Sequence, residues 1–487
     1  MAKRALRFSP RRIRTLPRPS RRADRVTSAI AAGHPATVEA GIEMLRAGGS
    51  AADAAVAASL ASCVAETVMT GLLGGGHAIY YDGTGGSAEN LDFFVAVPGL
   101  GAERREAALL ELDVPFGAEL VHYAVGIASC GVPGVPAGLA ELWRRHGRLE
   151  WTRLVEPALR LARAGVEMTP AQASCLAMLA TVMTMNEGAR IYAPRGSLLA
   201  AGERLEQPGL VRALELLAEE GAASAYSGSI ADVLLALMRE RGGLVTREDL
   251  EAYRAEWSAP DEVAYLDARV YTRDDLSGVP DALPRVPRLA ELSEAERALI
   301  LARILDREGP DGVGDTTNIT VVDGDGSACV LTTSLGLGSG DFLPGFDLHL
   351  NSMLGEADLV RGALEAGERM GSMMAPTLVL GDNALELAIG AAGGTRLRGA
   401  LIQVAAGVLD EGLSPGEAVA RPRLHASGGR VQVEPGFSEA AVAALEREGF
   451  AVRIWPAQHH FFGGVSLVTP NDAAGDPRRS GAAARVP

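Results

Sequence analysis

Apolar side chains recur at helical spacing between residues 37 and 66, and the Gly48-Gly49 pair splits that run into two predicted helices. Short β-type runs follow at 77–81, 91–97 and 123–129. Residues 134–147 and 151–165 each carry an amphipathic helical pattern, and Ala and Leu at i, i+3, i+4 spacing continue it to about residue 256. Residues 263–272 read as one strand. The stretch 274–314 is rich in Pro, Asp and Glu around a single predicted helix (291–307), and it reads as a surface connection rather than core.

After residue 316 the period changes from helical to alternating. Thr316 and Thr317 open a strand in which Ile319 and Val321 oppose Thr320 and Val322. Asp323-Gly324-Asp325-Gly326 turns the chain, and 328–333 runs back. A second pair, 377–380 and 384–389, meets at Gly381-Asp382, and a helix over 395–409 is entered from Gly393-Gly394. Strands at 430–433 and 464–469 bracket a helix over 438–449. No internal repeat is visible. Periodicity alone predicts a large, layered α/β or α+β fold.

Composition narrows the chemistry. Hydrophobic residues make up 47% and aromatics only 5%, which predicts a core of small aliphatic side chains in closely packed layers. Net charge is −15, yet residues 1–25 hold ten basic residues and one acid, leaving the rest at −24. An acidic body argues against a nucleic-acid surface, and no apolar run has the length of a membrane span. The Arg- and Pro-rich segment 1–25 lacks the apolar centre of a secretory signal, so a disordered basic leader and a cytoplasmic location are expected. Lys3 is the only lysine, which leaves the body without one for a Schiff base or a phosphate-binding loop. Cys63, Cys130, Cys175 and Cys329 are widely spaced and read as buried small hydrophobes. Adjacent His459-His460 lack metal-ligand spacing, and no G-x-S-x-G elbow is present.

A threonine at the head of a hairpin acquires chemical meaning if the chain is cut just before it. The new first residue carries a hydroxyl and a free α-amine, and the amine can serve as general base for its own side chain. The segment DTTNITVVDGDGSACVLTTS resembles the γ-glutamyltransferase (glutathione hydrolase) family of N-terminal-nucleophile hydrolases. So do AAGHPATVEAGIEMLRAGGSAADAAVAA, GLLGGGHAIYYD, GVPGVPAGLAELWRRHGRLEW, MAPTLVL, GAAGGTR, ARPRLH and DPRRSGAA, which occur in the family's order.

That resemblance implies a four-layer αββα sandwich, an α+β fold. It implies self-cleavage between Asp315 and Thr316 into a large part (26–315, after the 1–25 leader) and a small part (316–487), held together as a heterodimer. Thr316 would be the nucleophile, Ser334 the hydroxyl that orients it, and Gly393 and Gly394 the oxyanion-binding pair. No cofactor or metal is called for. The partner would be a small-molecule amide, with the acyl group passing to water or an amine. Asp476-Pro477-Arg478-Arg479 matches a tail motif read here as structural.

Phe94, Thr317, Glu356, Ser372 and Met373 are the candidate substrate-facing residues, and several depart from the family. Phe94 stands where an arginine clamps the glutamyl α-carboxylate, and a phenyl ring cannot pair an anion. An asparagine has become Gly336, a Ser-Ser pair has become Ser372-Met373, and Glu356 remains as the acid able to hold an ammonium. A less charged acyl group than γ-glutamyl is therefore expected. The alternatives are a non-catalytic binding homologue and a biosynthetic acyltransferase.

Overall fold

The computed structural model describes residues 27–101, 108–116, 119–306, 316–360 and 362–486; the basic leader 1–25 and Asp315 lie outside the described residues. Two sheets stack face to face. The first has seven strands in the order Ala482–Arg485, Ala29–Ala32, Thr317–Val322, Ala328–Ser334, Gly75–Asp82, Ser87–Phe93, Glu256–Ser258. The second has six: Ala473–Gly475, Gly464–Val468, Ala384–Ala392, Thr377–Gly381, Ala268–Thr272, Asp261–Tyr265.

Strand alternation sorts the apolar residues into three layers of core. Ala29, Ile79, Val322 and Val330 point inward to meet Leu378, Leu380, Ala388 and Val468 of the other sheet. Their neighbours Ile30, Ala78, Ile319, Val321 and Leu331 point outward, against the helices Pro35–Arg46, Ala51–Ala65 and Trp151–Ala164. On the far side, Val379, Leu387, Ile389 and Leu467 pack under the helices Leu397–Leu409 and Glu294–Leu305. The result is the four-layer helix–sheet–sheet–helix sandwich.

Local chemistry sets the element ends. The helix Ala51–Ala65 begins with a capping box between Ser50 and Asp53, and every one of its residues is buried. The Asp323 turn of the central hairpin is locked from within, its Oδ1 accepting the N–H groups of Asp325 and Ser327 at 3.0 Å each. Its Oδ2 reaches out to accept the Ala51 N–H at 2.9 Å, placing a carboxylate on a helix N-terminus. One side chain thus fixes the hairpin's turn and the helix layer above it.

Two readings of the sequence need correction. Residues 263–272 are an antiparallel pair, Asp261–Tyr265 and Ala268–Thr272, turned at Leu266 with φ +53°. No Gly, Pro or Asn marks the turn, so the pattern alone does not register it. The stretch read as a surface connection is partly core: Val279, Leu283, Val286, Leu289, Leu301 and Leu305 are buried under the second sheet. Its prolines start helical turns there, at Pro280 and Pro284, rather than marking a loop.

Asp323→Ala removes a buried acceptor from three backbone donors, so a loss of about 3 kcal/mol is expected. It is read as a lowered unfolding midpoint in urea. Asp323→Asn, which keeps one acceptor oxygen, should recover part of that loss.

Candidate active site

Thr316 sits at the head of the central hairpin, one residue before the paired Thr317 and Thr333. It is buried, and its Oγ1 accepts a hydrogen bond from the Gly393 N–H at 3.0 Å. Its carbonyl accepts from Arg479 Nη1 at 3.1 Å. The Gly393 contact depends on how the second sheet hands its chain to a helix. The strand Ala384–Ala392 ends at Gly393 (φ +131°) and Gly394 (φ +55°), and a 3-10 turn then leads into Leu397–Leu409. A side chain at either position would be strained in that conformation. Two glycines therefore aim a backbone N–H from one sheet at a hydroxyl on the other.

Thr316 closes the floor of a cleft of ≈ 390 Å³, its open mouth included. Ser334 and Gly394 also line it, with Phe94, Met353, Leu359, Met373, Met374 and Leu397 making a largely apolar wall. Ser334 ends the return strand and accepts the Gly336 N–H at 2.8 Å. Ser372 is placed by its backbone: its N–H donates to Asp275 Oδ2 at 2.7 Å, and its carbonyl accepts from Arg273 Nη1 at 3.1 Å. Arg273 and Asp275 are themselves paired at 2.6 Å. The polar side of the cleft is Ser372, Glu356 and Asp358, the last unanticipated from sequence.

Among the described residues that line the cleft there is no Arg, Lys or His. Phe94 is buried, its N–H held by Asp92 Oδ1 at 2.8 Å and its ring stacked on His77 at 5.5 Å. Burial, with Arg273 and Arg369 nearby, holds His77 well below the usual imidazole range, so it is neutral. Arg369 is turned to Asp92 (3.4 Å) and over the Tyr253 ring (4.2 Å). Gly336 has φ +69°, and a Cβ there would lie 2.1 Å from Glu356 Oε1. Bare backbone at 336 is what lets the Glu356 carboxylate reach this position.

Thr317, expected to face substrate, does not line this cleft. Successive residues of a strand point to opposite faces, so Thr317 looks the other way and donates to Glu66 Oε2 at 2.6 Å. Glu66 Oε1 accepts from Thr37 Oγ1, also at 2.6 Å. Burial pushes the Glu66 carboxyl above its ordinary range, against the opposing pull of Thr317, Thr37 and Arg479. Glu66 and Arg479 are thus residues that sequence reading passed over. A carboxylate at the end of an otherwise apolar helix was the available signal for the first. Arg479 belongs to a motif read as structural, which holds for its neighbour Arg478, buried on Glu434 and Asp476. Arg479 itself reaches the Thr316 carbonyl.

His459 Nδ1 accepts the Phe461 N–H at 3.1 Å and its ring packs beside Trp455. Among the described residues no three His, Cys, Asp or Glu side chains are grouped to hold a metal ion. All four cysteines are buried and unbridged.

Comparison with known proteins agrees with this geometry. The family model described as Gamma-glutamyltranspeptidase matches residues 37–280 and 300–486. The acylase ACY 1 proenzyme of Pseudomonas sp. (strain V22) is 28% identical, over 87% of each chain. The glutathione hydrolase proenzyme of Pseudomonas aeruginosa is 27% identical, over 82% of each. In fold, the cephalosporin acylase from Bacillus halodurans superposes with a TM-score of 0.79 over 98% of this chain and 99% of that one, at 23% identity. The chain belongs to the gamma-glutamyltranspeptidase family, whose members are hydrolases and transferases.

Proposed function

We propose that this protein is a self-processing amidohydrolase in which Thr316 is the nucleophile and its own α-amine the base. The observation that carries the proposal is the buried Thr316 hydroxyl on the floor of the cleft, already engaged by a backbone N–H at 3.0 Å. In the intact chain Thr316 Oγ attacks the Asp315 carbonyl carbon and the Asp315–Thr316 amide becomes an ester. Water then opens the ester, leaving a carboxylate on Asp315 and an amine on Thr316, and the two parts remain together as a heterodimer.

In turnover the amine takes the hydroxyl proton as Oγ attacks the substrate's amide carbon. An ordinary α-amino pKa of about 7.7–8.0 suits that task near neutral pH. The tetrahedral oxyanion is met by the backbone dipoles of Gly393 and Gly394, an arrangement whose single donors typically contribute about 10²–10³ in rate. Once acylated, Oγ is an ester oxygen and a poor acceptor, so the Gly393 N–H is released to the carbonyl oxygen beside it. The amine's proton goes to the departing nitrogen, and water or another amine removes the acyl group. Ser334, at the end of the partner strand, orients the hydroxyl.

Relatives named as acylases and as glutathione hydrolases are almost equally similar in sequence, so the choice between them falls to the cleft. A γ-glutamyl group would bring its α-carboxylate against Phe94, with no cation among the described lining residues and two carboxylates, Glu356 and Asp358, in the same lining. Desolvating an anion without a partner is costly. The acyl group that fits is apolar and carries no carboxylate, which favours an acylase-like role over glutathione hydrolysis.

Thr316→Ala is expected to remain one chain of 50.6 kDa on a denaturing gel, while wild type yields two fragments with a new amino terminus at Thr316. A cut Thr316→Ala chain would sink the assignment. Substrate choice is read by comparing hexanoyl and γ-glutamyl p-nitroanilides. Wild type should prefer the hexanoyl compound, and Phe94→Arg should raise kcat/KM for the γ-glutamyl one by about 10–100-fold, the worth of one charge-assisted hydrogen bond.

A further inference from the structure

Behind Thr316, on the face of the strand turned away from the acyl cleft, lies a second, tightly packed crevice. Gly33, Glu66, Thr316, Thr317 and Arg479 are among its walls. Glu66 is an expensive residue to keep there. It is 1% exposed, and it caps the C-terminal end of the helix Ala51–Ala65, where the helix dipole disfavours a negative charge. Both of its oxygens are nevertheless committed, one to Thr37 and one to Thr317, each at 2.6 Å. The strand Ala29–Ala32 leads into Gly33, where even a Cβ would fall 2.7 Å from Glu66 Oε2 and 3.1 Å from Thr317 Oγ1. Arg479 supplies the opposing charge and holds the Thr316 carbonyl.

The turn that follows Glu66 is tied into the same place. The Glu66 carbonyl accepts the N–H groups of Met69 and Thr70, and Thr70 Oγ1 donates to Thr333 Oγ1 at 2.8 Å. Thr333 is the cross-strand partner of Thr317. One turn, 66–70, therefore grips both strands of the hairpin at the end that carries the nucleophile.

This grip matters because of the cut. Glu66 lies before it in sequence, whereas Thr316 and Thr317 become the first two residues of a new chain. Chain ends fray unless something ties them down, and a displacement of about 1 Å at a reacting atom can cost about 10²-fold in rate. We propose that Glu66 is a positioning residue that reaches across the cut to hold Thr317, and through it keeps the Thr316 amine and hydroxyl in attack geometry. The inference rests on Thr316 being the nucleophile, and it adds a residue that never touches substrate.

The test is steady-state and burst kinetics on hexanoyl p-nitroanilide, with rates expressed per acylatable site. Glu66→Ala should lower kcat by about 10–100-fold with KM within about twofold. Thr317→Val should match it, and the double variant should be no worse than either single one. Glu66→Gln, which retains an acceptor and adds a donor that a threonine hydroxyl can accept, should recover most of the loss. A slower cut in Glu66→Ala, rescued by Gln, supports the same role, because the same hydroxyl performs both steps. Should Glu66→Ala fail to fold, Thr317→Val reads the same contact from its other side. A lowered unfolding midpoint with kcat per site unchanged in Glu66→Ala and Thr317→Val would overturn the proposal. An uncut wild-type chain would instead sink the nucleophile assignment itself.

Discussion

The hydrogen bond from the Gly393 N–H to the Thr316 hydroxyl spans the two sheets, and much of the architecture serves to place its two ends. Thr316 enters from the first sheet, whose strand Thr317–Val322 is flanked on both sides and packed on both faces. Gly393 enters from the second, where a strand becomes a helix through two left-handed glycines. Neither sheet alone could make the contact. The stacking of apolar layers between them, rather than any local motif, sets the distance at which a backbone dipole meets the hydroxyl.

Charge is distributed around that contact with a clear division of labour. On the acyl side the walls are Phe, Met and Leu, with carboxylates from Glu356 and Asp358. On the opposite side Arg479 approaches the Thr316 carbonyl, next to a fully buried set comprising Arg423, Arg478, Asp476 and Glu434. Such sets are weak sources of net stability, because desolvation consumes most of the Coulombic gain. Their geometry is nonetheless restrictive. Asp476 accepts from both Arg423 and Arg478, and it also takes the Val465 N–H of the second sheet. The segment carrying Arg479 is thus bound to the sheet that supplies Gly393, and the two groups that touch Thr316 are held in one frame.

Much of the fold was legible because its signals are local. The amphipathic helices, the Asp-Gly turn at 323–326 and the break at Gly48-Gly49 declare themselves within a few residues. What escaped reading was non-local. The tight turn at Leu266 carries no Gly, Pro or Asn to mark it, and the buried face of 279–305 is masked by a polar, proline-rich composition. At the site, sequence brought forward Thr316, Ser334 and the glycine pair, but not the face to which Thr317 turns. Deciding that requires the register Thr317↔Thr333 and a partner 251 positions away, Glu66. Asp358 escaped for the same reason, since it joins the cleft only through the fold of a loop.

Two of the departures from the family, Phe94 and Met373, share one apolar wall of the cleft. A side chain at position 336 cannot coexist with Glu356 as placed, because even a Cβ would come within 2.1 Å of its carboxylate. Phe94 belongs to a packed set with Val95, Val97, Met353, Leu359, Met370 and Met374. An arginine in its place would need to leave that set or bury a charge within it. The ring that occupies the arginine's place is stacked on a neutral histidine and packed with methionines. An apolar wall of flexible side chains thus stands beside the Thr316 hydroxyl.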